Sequence, residues 1–481
     1  MSETLKEKTA KGLFWGGLSS VAQQGIGLLV GIILARLLAR TDYGMIGMIT
    51  IFSLVANNLQ SSGFKVGLIN MKSPRHEDYN SVFWFNIVAS LVIYVVLFFS
   101  SPLIASYFNQ PALVWLCRYV FLGFVFSGIG LAPSAWLTKN LQFKHLAQCS
   151  ITAVVVSSVF GVGLACLGLG YWALATQNLT YIAANTLMLW HYSSWRPTLN
   201  CNFRPVRQLF PFSVKIMLTA IFTDINNSII NLILGKHYTA QDTGDYFQAS
   251  QWNSKAYLLI QDMVRRVDQP ILVSLHDERQ RQLHVLRKMI RFTAFLSFPL
   301  LFGLALVSHE FIVLAIGEKW ASSASLLPLL CIAGAFTPIS MLMADMIMSR
   351  GRSDTYMWCT IVLGILQVLL MSLMWPWGIR VMVVAFVSLN IVWVAVWHHF
   401  VAKQTGYRFH LFLKDTIPFA LAAFGVMAVV HYSTLSITSL WVLLFCRVVL
   451  AACLYYLTMR LVRAKILEDC RQFVLLRLKK L

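Results

Sequence analysis

Residues 34–47 read LARLLARTDYGMIG, and residues 234–247 read LGKHYTAQDTGDYF. The stretches lie two hundred positions apart, and they align Asp42 with Asp242 and Gly44 with Gly244. Each breaks a run of apolar residues with the small and polar residues of a turn. A second pair follows the same spacing rule loosely, with LTKNLQFK at 137–144 and MSRGRSD at 348–354. The chain is therefore read as two similar helical halves in tandem, each opening with two helices joined by the same kind of turn.

The segments around these turns are apolar and long. Of 481 residues, 58% are hydrophobic and 12% charged, about half the charged share of an ordinary soluble protein. Apolar stretches of about twenty residues recur to the end, which is the length a helix needs to cross the hydrocarbon core. A backbone in lipid must satisfy its own hydrogen bonds, so the fold class is an all-α polytopic membrane bundle. Fourteen spans are expected, at 12–37, 43–65, 81–106, 112–137, 146–168, 170–192, 208–235, 243–265, 288–313, 322–348, 355–376, 379–401, 413–432 and 437–460. They divide into six-helix bundles at 1–205 and 206–402, with a last pair and a basic tail at 403–481. Parallel repeats of this kind are a transporter arrangement, with substrate held in a central cavity between the halves.

The net charge of +20 follows the spans rather than a nucleic-acid face. Loops on the side of the termini hold 30 of the 39 Lys and Arg, and the opposite side holds Arg36, Arg40, Lys236, Lys319 and Arg380. This asymmetry puts both termini in the cytoplasm. Met1 to Lys11 carries three lysines and no small-residue cleavage site, so it reads as the start of a retained first helix. Nine cysteines stand singly with no CxxC pair, as apolar fillers do.

Four bases fall at membrane depth: Arg118, Lys215, Lys255 and Arg447. Asp224 and Asp345 are the acids expected inside, with Asp262 near a span end. A charge at the bilayer centre costs about 2.5–3.5 kcal/mol, so such groups face a partner or a wet cavity. In the eighth span, Gln248, Gln251, Lys255 and Asp262 follow helical spacing and share one stripe. Lys255 lies roughly 18 Å along that span at 1.5 Å per residue, near the midplane. The seventh span carries Asp224, Asn227 and Asn231. The second carries Ser53, Asn57, Gln60 and Ser61 with Asn58 adjacent, and the first offers Gln23. Polar faces on these corresponding helices point to a shared aqueous cavity. Amide stripes also serve as bonds between helices, and Lys215 and Asp345 are placed to snorkel. Arg36 and Lys236 are either interface anchors or outer-cavity cations, Asp224 is either a counter-ion or a protonatable coupling site, and Arg447 has no partner that the sequence identifies.

The phrase ILARLLARTDYGMIGM, followed by SSGFKVGLINMKSPRHEDYNSVFWFN, resembles the polysaccharide-transporter flippases of bacterial O-antigen, capsule and colanic-acid export. So do GLGYWALATQNL at 168–179, SFPLLFGLAL at 297–306, GEKW at 317–320 and SRGRSD at 349–354. That family belongs to the superfamily of multidrug exporters and the lipid II flippase, built as two bundles around a cavity that opens to each side in turn. The resemblance, which covers residues 10 to 360, implies transport of an oligosaccharide on an undecaprenyl pyrophosphate carrier. One departure is Gln248, where relatives commonly carry arginine, so cationic duty falls on Lys255.

On this reading Lys255 is the main headgroup cation, assisted by Arg118, Lys215 or Arg36. Asn57, Asn58, Gln60, Gln248 and Gln251 bond the sugars, and Asp224 is the coupling candidate. No cofactor, metal or nucleic acid is expected. Membrane lipids, a polysaccharide polymerase and glycosyltransferases are the expected partners. A multidrug antiporter would favour acids in the cavity, because its substrates are cations. A glycan polymerase or ligase would need a sizeable outer loop with catalytic residues, and the outer loops are short.

Overall fold

The computed structural model describes residues 5–61, 64–71, 73–199, 204–265, 268–275, 278–462, 464 and 466–468; the side chains of 5–14, 59–61, 66, 70, 204–205, 207–216 and 269–270 lie outside that description. Among the described residues every regular element is helical. The first half runs α1 (Leu5–Leu37), α2 (Arg40–Ser61), the seven-residue α3 (Phe64–Asn70), α4 (His76–Tyr107), α5 (Leu113–Lys139), α6 (Phe143–Cys166) and α7 (Tyr171–Tyr192). The same order then returns. It comprises α8 (Arg204–His237), α9 (Ala240–Arg265), the seven-residue α10 (Asp268–Ser274), α11 (Arg279–Leu306) extended by α12 (Ser308–Ile316), α13 (Ala321–Ser349), α14 (Ser353–Met374) and α15 (Ile379–Thr405). A last pair follows, α16 (Phe409–Ser433) and α17 (Leu440–Leu461).

Eleven of these helical segments are long and apolar enough to cross a membrane. The fourteen-span reading also counts α2, α7 and α9, which are 22, 22 and 26 residues long but carry more polar side chains. The short helices α3 and α10 were not foreseen. Each follows the second helix of its half, where hydropathy alone sees only a loop.

The repeat shows in local chemistry as well as in order. At the start of α2, Asp42 Oδ2 accepts the Ala39 N–H at 2.8 Å. At the start of α9, Asp242 Oδ2 accepts the Thr239 N–H at 3.2 Å and the Thr239 hydroxyl at 2.7 Å. Both carboxylates thus satisfy donors left open at a helix N-terminus and sit at its positive end. The two aligned glycines make a reciprocal close approach. A methyl group on Gly44 would collide with the Ala240 carbonyl, and one on Gly244 with the Arg40 carbonyl. A third match lies at the ends of α5 and α13. Lys139 Nζ donates to the Ile69 carbonyl at 2.8 Å and to the Met71 carbonyl, holding the end of α3. Arg350 Nε donates to Gln282 Oε1 at 2.9 Å, and Gln282 donates to the Leu272 carbonyl of α10 at 2.7 Å.

The chain forms two compact units, Met1–Gly244 and Asp245–Leu481. In the first, α5 and α7 pack through Gly123 and Gly130, where a methyl group would meet Ile182 at 3.0 Å and Thr186 Oγ1 at 2.8 Å. Thr186 and Trp190 of α7 donate to the Phe126 and Ile129 carbonyls of α5, each at 3.0 Å. In the second, the last pair is tied to α11 and α12 by two charge clusters. Asp415 of α16 is buried and accepts Arg287 Nε at 2.7 Å and the Tyr407 hydroxyl at 2.8 Å, with Arg291 Nε 2.9 Å away. Arg447 of α17 finds its partner in Glu310 of α12, at 2.9 Å with both side chains buried. It also donates to Thr434 Oγ1 at 3.1 Å and to the Leu306 carbonyl at 3.2 Å. That pair accounts for a mid-helix arginine whose partner lies 137 positions away.

Two outcomes follow. Gly44→Ala forces α2 off the start of α9, an overpacking cost of about 1–3 kcal/mol, and lowers the thermal unfolding temperature of the purified protein; Gly163→Ala, where a methyl group meets nothing, leaves it unchanged. Glu310→Gln or Arg447→Met alone strands a buried charge or its polar partner and costs up to about 3–5 kcal/mol. The pair Glu310→Leu with Arg447→Met recovers most of that loss in the same measurement.

Candidate functional site

Two of the three helices that fall short of membrane-spanning hydropathy, α2 and α7, carry much of a polar lining. In the first unit, α2, α3, α5 and α7 enclose a cavity of about 420 Å³. From α2 come Ser53 and Asn57, from α5 Ser127 and Ser134, and from α7 Asn178, Tyr181, Asn185 and Thr186. Lys65 of α3 supplies a cation to the same cavity. The α7 residues follow i, i+3, i+7 and i+8, one helical face, so hydroxyls and amides form one wall. The volume lies within the range of pockets that enclose small organic ligands. Among the described lining residues there is one lysine and no carboxylate.

Asn57 lines this cavity, and its neighbour Asn58 turns away from it. The Asn58 amide donates to Asp224 Oδ2 of α8, a bond between α2 and α8 within the unit. On α8, Asn231 is buried and Asn227 exposed. Gln60 and Lys215 stand on α2 and α8, and their side chains lie outside the described residues.

The second unit holds the rest of the expected stripe, on α9. Gln248 is buried, Lys255 is half-buried, and Gln251 and Asp262 are exposed, so the stripe runs along the edge of the packed face. That face meets α12 and α13 through Trp252, whose ring stands edge-on to Phe311 at 4.9 Å, and through Asp245, which accepts the Ser323 hydroxyl at 3.3 Å. Lys255 Nζ lies 4.4 Å from the Trp252 ring centroid. Among the described residues no carboxylate pairs with it.

The other cations have different surroundings. Arg118 is held near the N-terminal end of α5, where Nε donates to Ser101 Oγ at 3.1 Å and the guanidinium lies over Phe98 at 4.2 Å and beside Trp115 at 5.0 Å. It is thus a packed group among aromatic rings, away from the amide-lined cavity. Arg36 is exposed in the last turn of α1. Its counterpart Lys236 donates to the Tyr107 carbonyl at 2.8 Å and sits 4.6 Å from that ring, which makes it an anchor.

Two features were missed from sequence. Lys65 closes the expected span 43–65 and was not among the expected site residues, because α3 is too short to leave a periodic signature. The polar face of α7 was readable, since Asn178, Asn185 and Thr186 share a helical stripe, but Asn178 lies in the phrase at 168–179 that was read only for its resemblance.

Comparison with known proteins agrees with this architecture. The family model described as "Polysaccharide biosynthesis protein" matches residues 33–325. Lipopolysaccharide biosynthesis protein WzxC of Escherichia coli is 26% identical over 357 residues, covering 73% of this chain and 72% of that protein. Succinoglycan biosynthesis transport protein ExoT of Rhizobium meliloti is 24% identical over 343 residues, covering 71% and 69%. The solved structure of the lipid II flippase MurJ in an inward closed conformation superposes with a TM-score of 0.73 at 13% identity, over 92% of this chain and 99% of that one. This chain belongs to the polysaccharide biosynthesis protein family, and its fold is that of a membrane transporter.

A hydrated cavity has a direct readout. With the native cysteines replaced, Asn178→Cys and Asn185→Cys react with a small charged thiol reagent in membranes. Ala153→Cys, at a fully buried position of α6, stays unlabelled.

Proposed function

We propose, from membership of this family, that the chain moves oligosaccharide units on an undecaprenyl pyrophosphate carrier from the cytoplasmic to the outer leaflet of a bacterial inner membrane by alternating access. Both termini are cytoplasmic on this reading. The working halves are residues 1–205 and 206–402, with 403–481 appended, and the matching order of α1–α7 and α8–α15 supports that division.

The observation that carries the proposal is a cavity walled by amides, hydroxyls and one lysine inside a bundle of membrane-crossing helices. A sugar chain leaving water loses hydrogen bonds, which is costly unless they are replaced. Asn57, Asn178 and Asn185 offer both donors and acceptors for hydroxyl groups. The pyrophosphate needs cations; Lys65 lines the amide-walled cavity and Lys255 stands beside Trp252 on α9, neither with a carboxylate partner among the described residues. The polyprenyl tail stays in lipid. Gln248, Gln251, Asn58 and Gln60 remain candidates for sugar contacts, and Arg36, Lys215 and Arg118 for secondary cations. Arg118 is the weakest of these, since its guanidinium is already engaged. Asp224 is the coupling candidate, with its charge shared with the Asn58 amide. An inside-negative potential favours outward anion movement by about 2.3 kcal/mol per charge per 100 mV. A polymerase and glycosyltransferases are the partners such a step requires before and after it. A cavity with a lysine in place of an acid argues against a cation exporter of the same fold.

In cells deprived of their own flippase for the matching polysaccharide, Lys255→Ala lowers surface polysaccharide at least about tenfold, the loss expected for one charge-assisted contact. Lys255→Arg keeps most of it. Full display by the Ala variant at normal protein level removes Lys255 from the mechanism.

A further inference from the structure

The second unit has a separate basic cleft that the transport reading does not use. It has a volume of about 610 Å³ and is lined by Arg350, Arg352, Thr355, Phe400, Lys403 and Gln404. Three helix ends converge there. Arg350 caps the C-terminus of α13, Arg352 caps the N-terminus of α14 with Thr355 in its first turns, and Phe400, Lys403 and Gln404 occupy the last turns of α15.

Three cations line the cleft, and among the described lining residues there is no carboxylate; Asp354, in the same turn as Arg352, is not part of the lining. Arg350 is fixed in place through Gln282, which is fully buried. Burial, and then the charge of nearby Arg279, lower the Arg350 guanidinium from its ordinary range. Arg352 and Lys403 are exposed, and Lys403 Nζ stands 5.8 Å from the Phe400 ring centroid. Gln404 Oε1 is buried without a hydrogen-bond partner among the described residues. The N-terminus of α14 adds the open N–H groups and positive dipole end that favour an anion.

Along α14 from this cleft runs an exposed apolar strip of Trp358, Val362, Ile365, Leu366, Leu369 and Leu373. The spacing is helical, so the strip is continuous. Trp358 stands nearest the cleft, and aromatic rings of its kind favour the membrane boundary. An anion alone would use the basic end; a lipid uses both the basic end and the strip.

We infer that the cleft between the ends of α13, α14 and α15 binds the phosphate of an acidic membrane lipid, whose chains lie along the exposed face of α14. The three cations match a headgroup carrying two phosphates better than one. Gln404 serves a headgroup hydroxyl or ester oxygen. Both a two-phosphate phospholipid of the bilayer and a polyprenyl pyrophosphate present this chemistry. The charge asymmetry of the loops places the site in the cytoplasmic leaflet, and this clause alone depends on that orientation.

The test is native mass spectrometry of the full purified chain in detergent, titrated in separate arms with cardiolipin, phosphatidylglycerol, phosphatidylcholine and undecaprenyl pyrophosphate. The variant Arg352→Ala with Lys403→Ala removes two exposed charges and keeps the Arg350–Gln282 bond. Its thermal unfolding is expected to match the parent. The parent binds the acidic lipids more tightly than phosphatidylcholine, and the variant binds them about 30-fold more weakly, the factor expected for two surface cations. Arg352→Lys with Lys403→Arg restores binding. Loss confined to cardiolipin and phosphatidylglycerol assigns the site to a bilayer lipid; loss confined to undecaprenyl pyrophosphate assigns it to the carrier. The inference falls if the variant binds as tightly as the parent. It also falls if Lys144→Ala with Arg196→Ala, which removes two basic residues of the first unit, weakens binding equally. The readout is binding and not transport, so failure here leaves the proposed function untouched.

Discussion

No water reaches the hydrocarbon core to pair a backbone amide or to solvate a charge. That constraint orders the whole molecule. It forces every crossing segment into a helix, and it sorts the charged side chains by partner. Arg447 sits mid-helix because Glu310, Thr434 and the Leu306 carbonyl surround it. Asp415 sits buried because Arg287, Arg291 and Tyr407 converge on it. The two clusters draw on α16 and α17 respectively, and each reaches back to α11 or α12. The added pair is therefore fastened to the repeat it follows at two separated places, and a rearrangement of that unit carries the pair along.

The same constraint explains how much the sequence disclosed. Helix positions follow from apolar length, so the expected span 43–65 appears as Arg40–Ser61 and 379–401 as Ile379–Thr405. The aligned aspartates and glycines were legible because capping and close approach demand particular residues at fixed offsets. Asp42 and Asp242 each close a helix start, and Gly44 and Gly244 each admit a neighbouring carbonyl. Partners across long separations were not legible. Glu310 is 137 positions from Arg447, and Asp224 is 166 from Asn58. Hydropathy reports whether a helix enters lipid and says nothing of which helix it meets. The short α3 escaped for a different reason: seven residues give no periodicity to read, and Lys65 went without a role along with it.

Polarity that weakens a span is also what equips it. The helices α2 and α7 give up apolar surface to wall a cavity with Ser53, Asn57, Asn178 and Asn185, and α9 carries polar residues along the Gln248–Lys255 stripe. Such helices insert poorly by themselves, so neighbours must hold them. Glycines of α5 let α7 approach, and two α7 side chains bond α5 carbonyls at successive turns. The polar wall is thus mounted on a rigid backing, which keeps the amides in fixed positions for a ligand.

The energetic contrast among the deep cations follows. A lysine at mid-membrane depth costs about 2.5–3.5 kcal/mol. A ring contact such as that of Lys255 with Trp252 returns about 0.5–2 kcal/mol, and the geometry here is a single ring at 4.4 Å. Arg447, also mid-helix, is offset by a carboxylate, a hydroxyl and a carbonyl. With α9 crossing as the repeat requires, Lys255 is left with a deficit of about 0.5–3 kcal/mol on these scales. An anionic ligand removes that deficit while it is bound, and release restores it. On the proposed function, a cation held slightly out of balance suits passage of an anion better than a fully paired one, which would bind nothing, or a bare one, which would not let go.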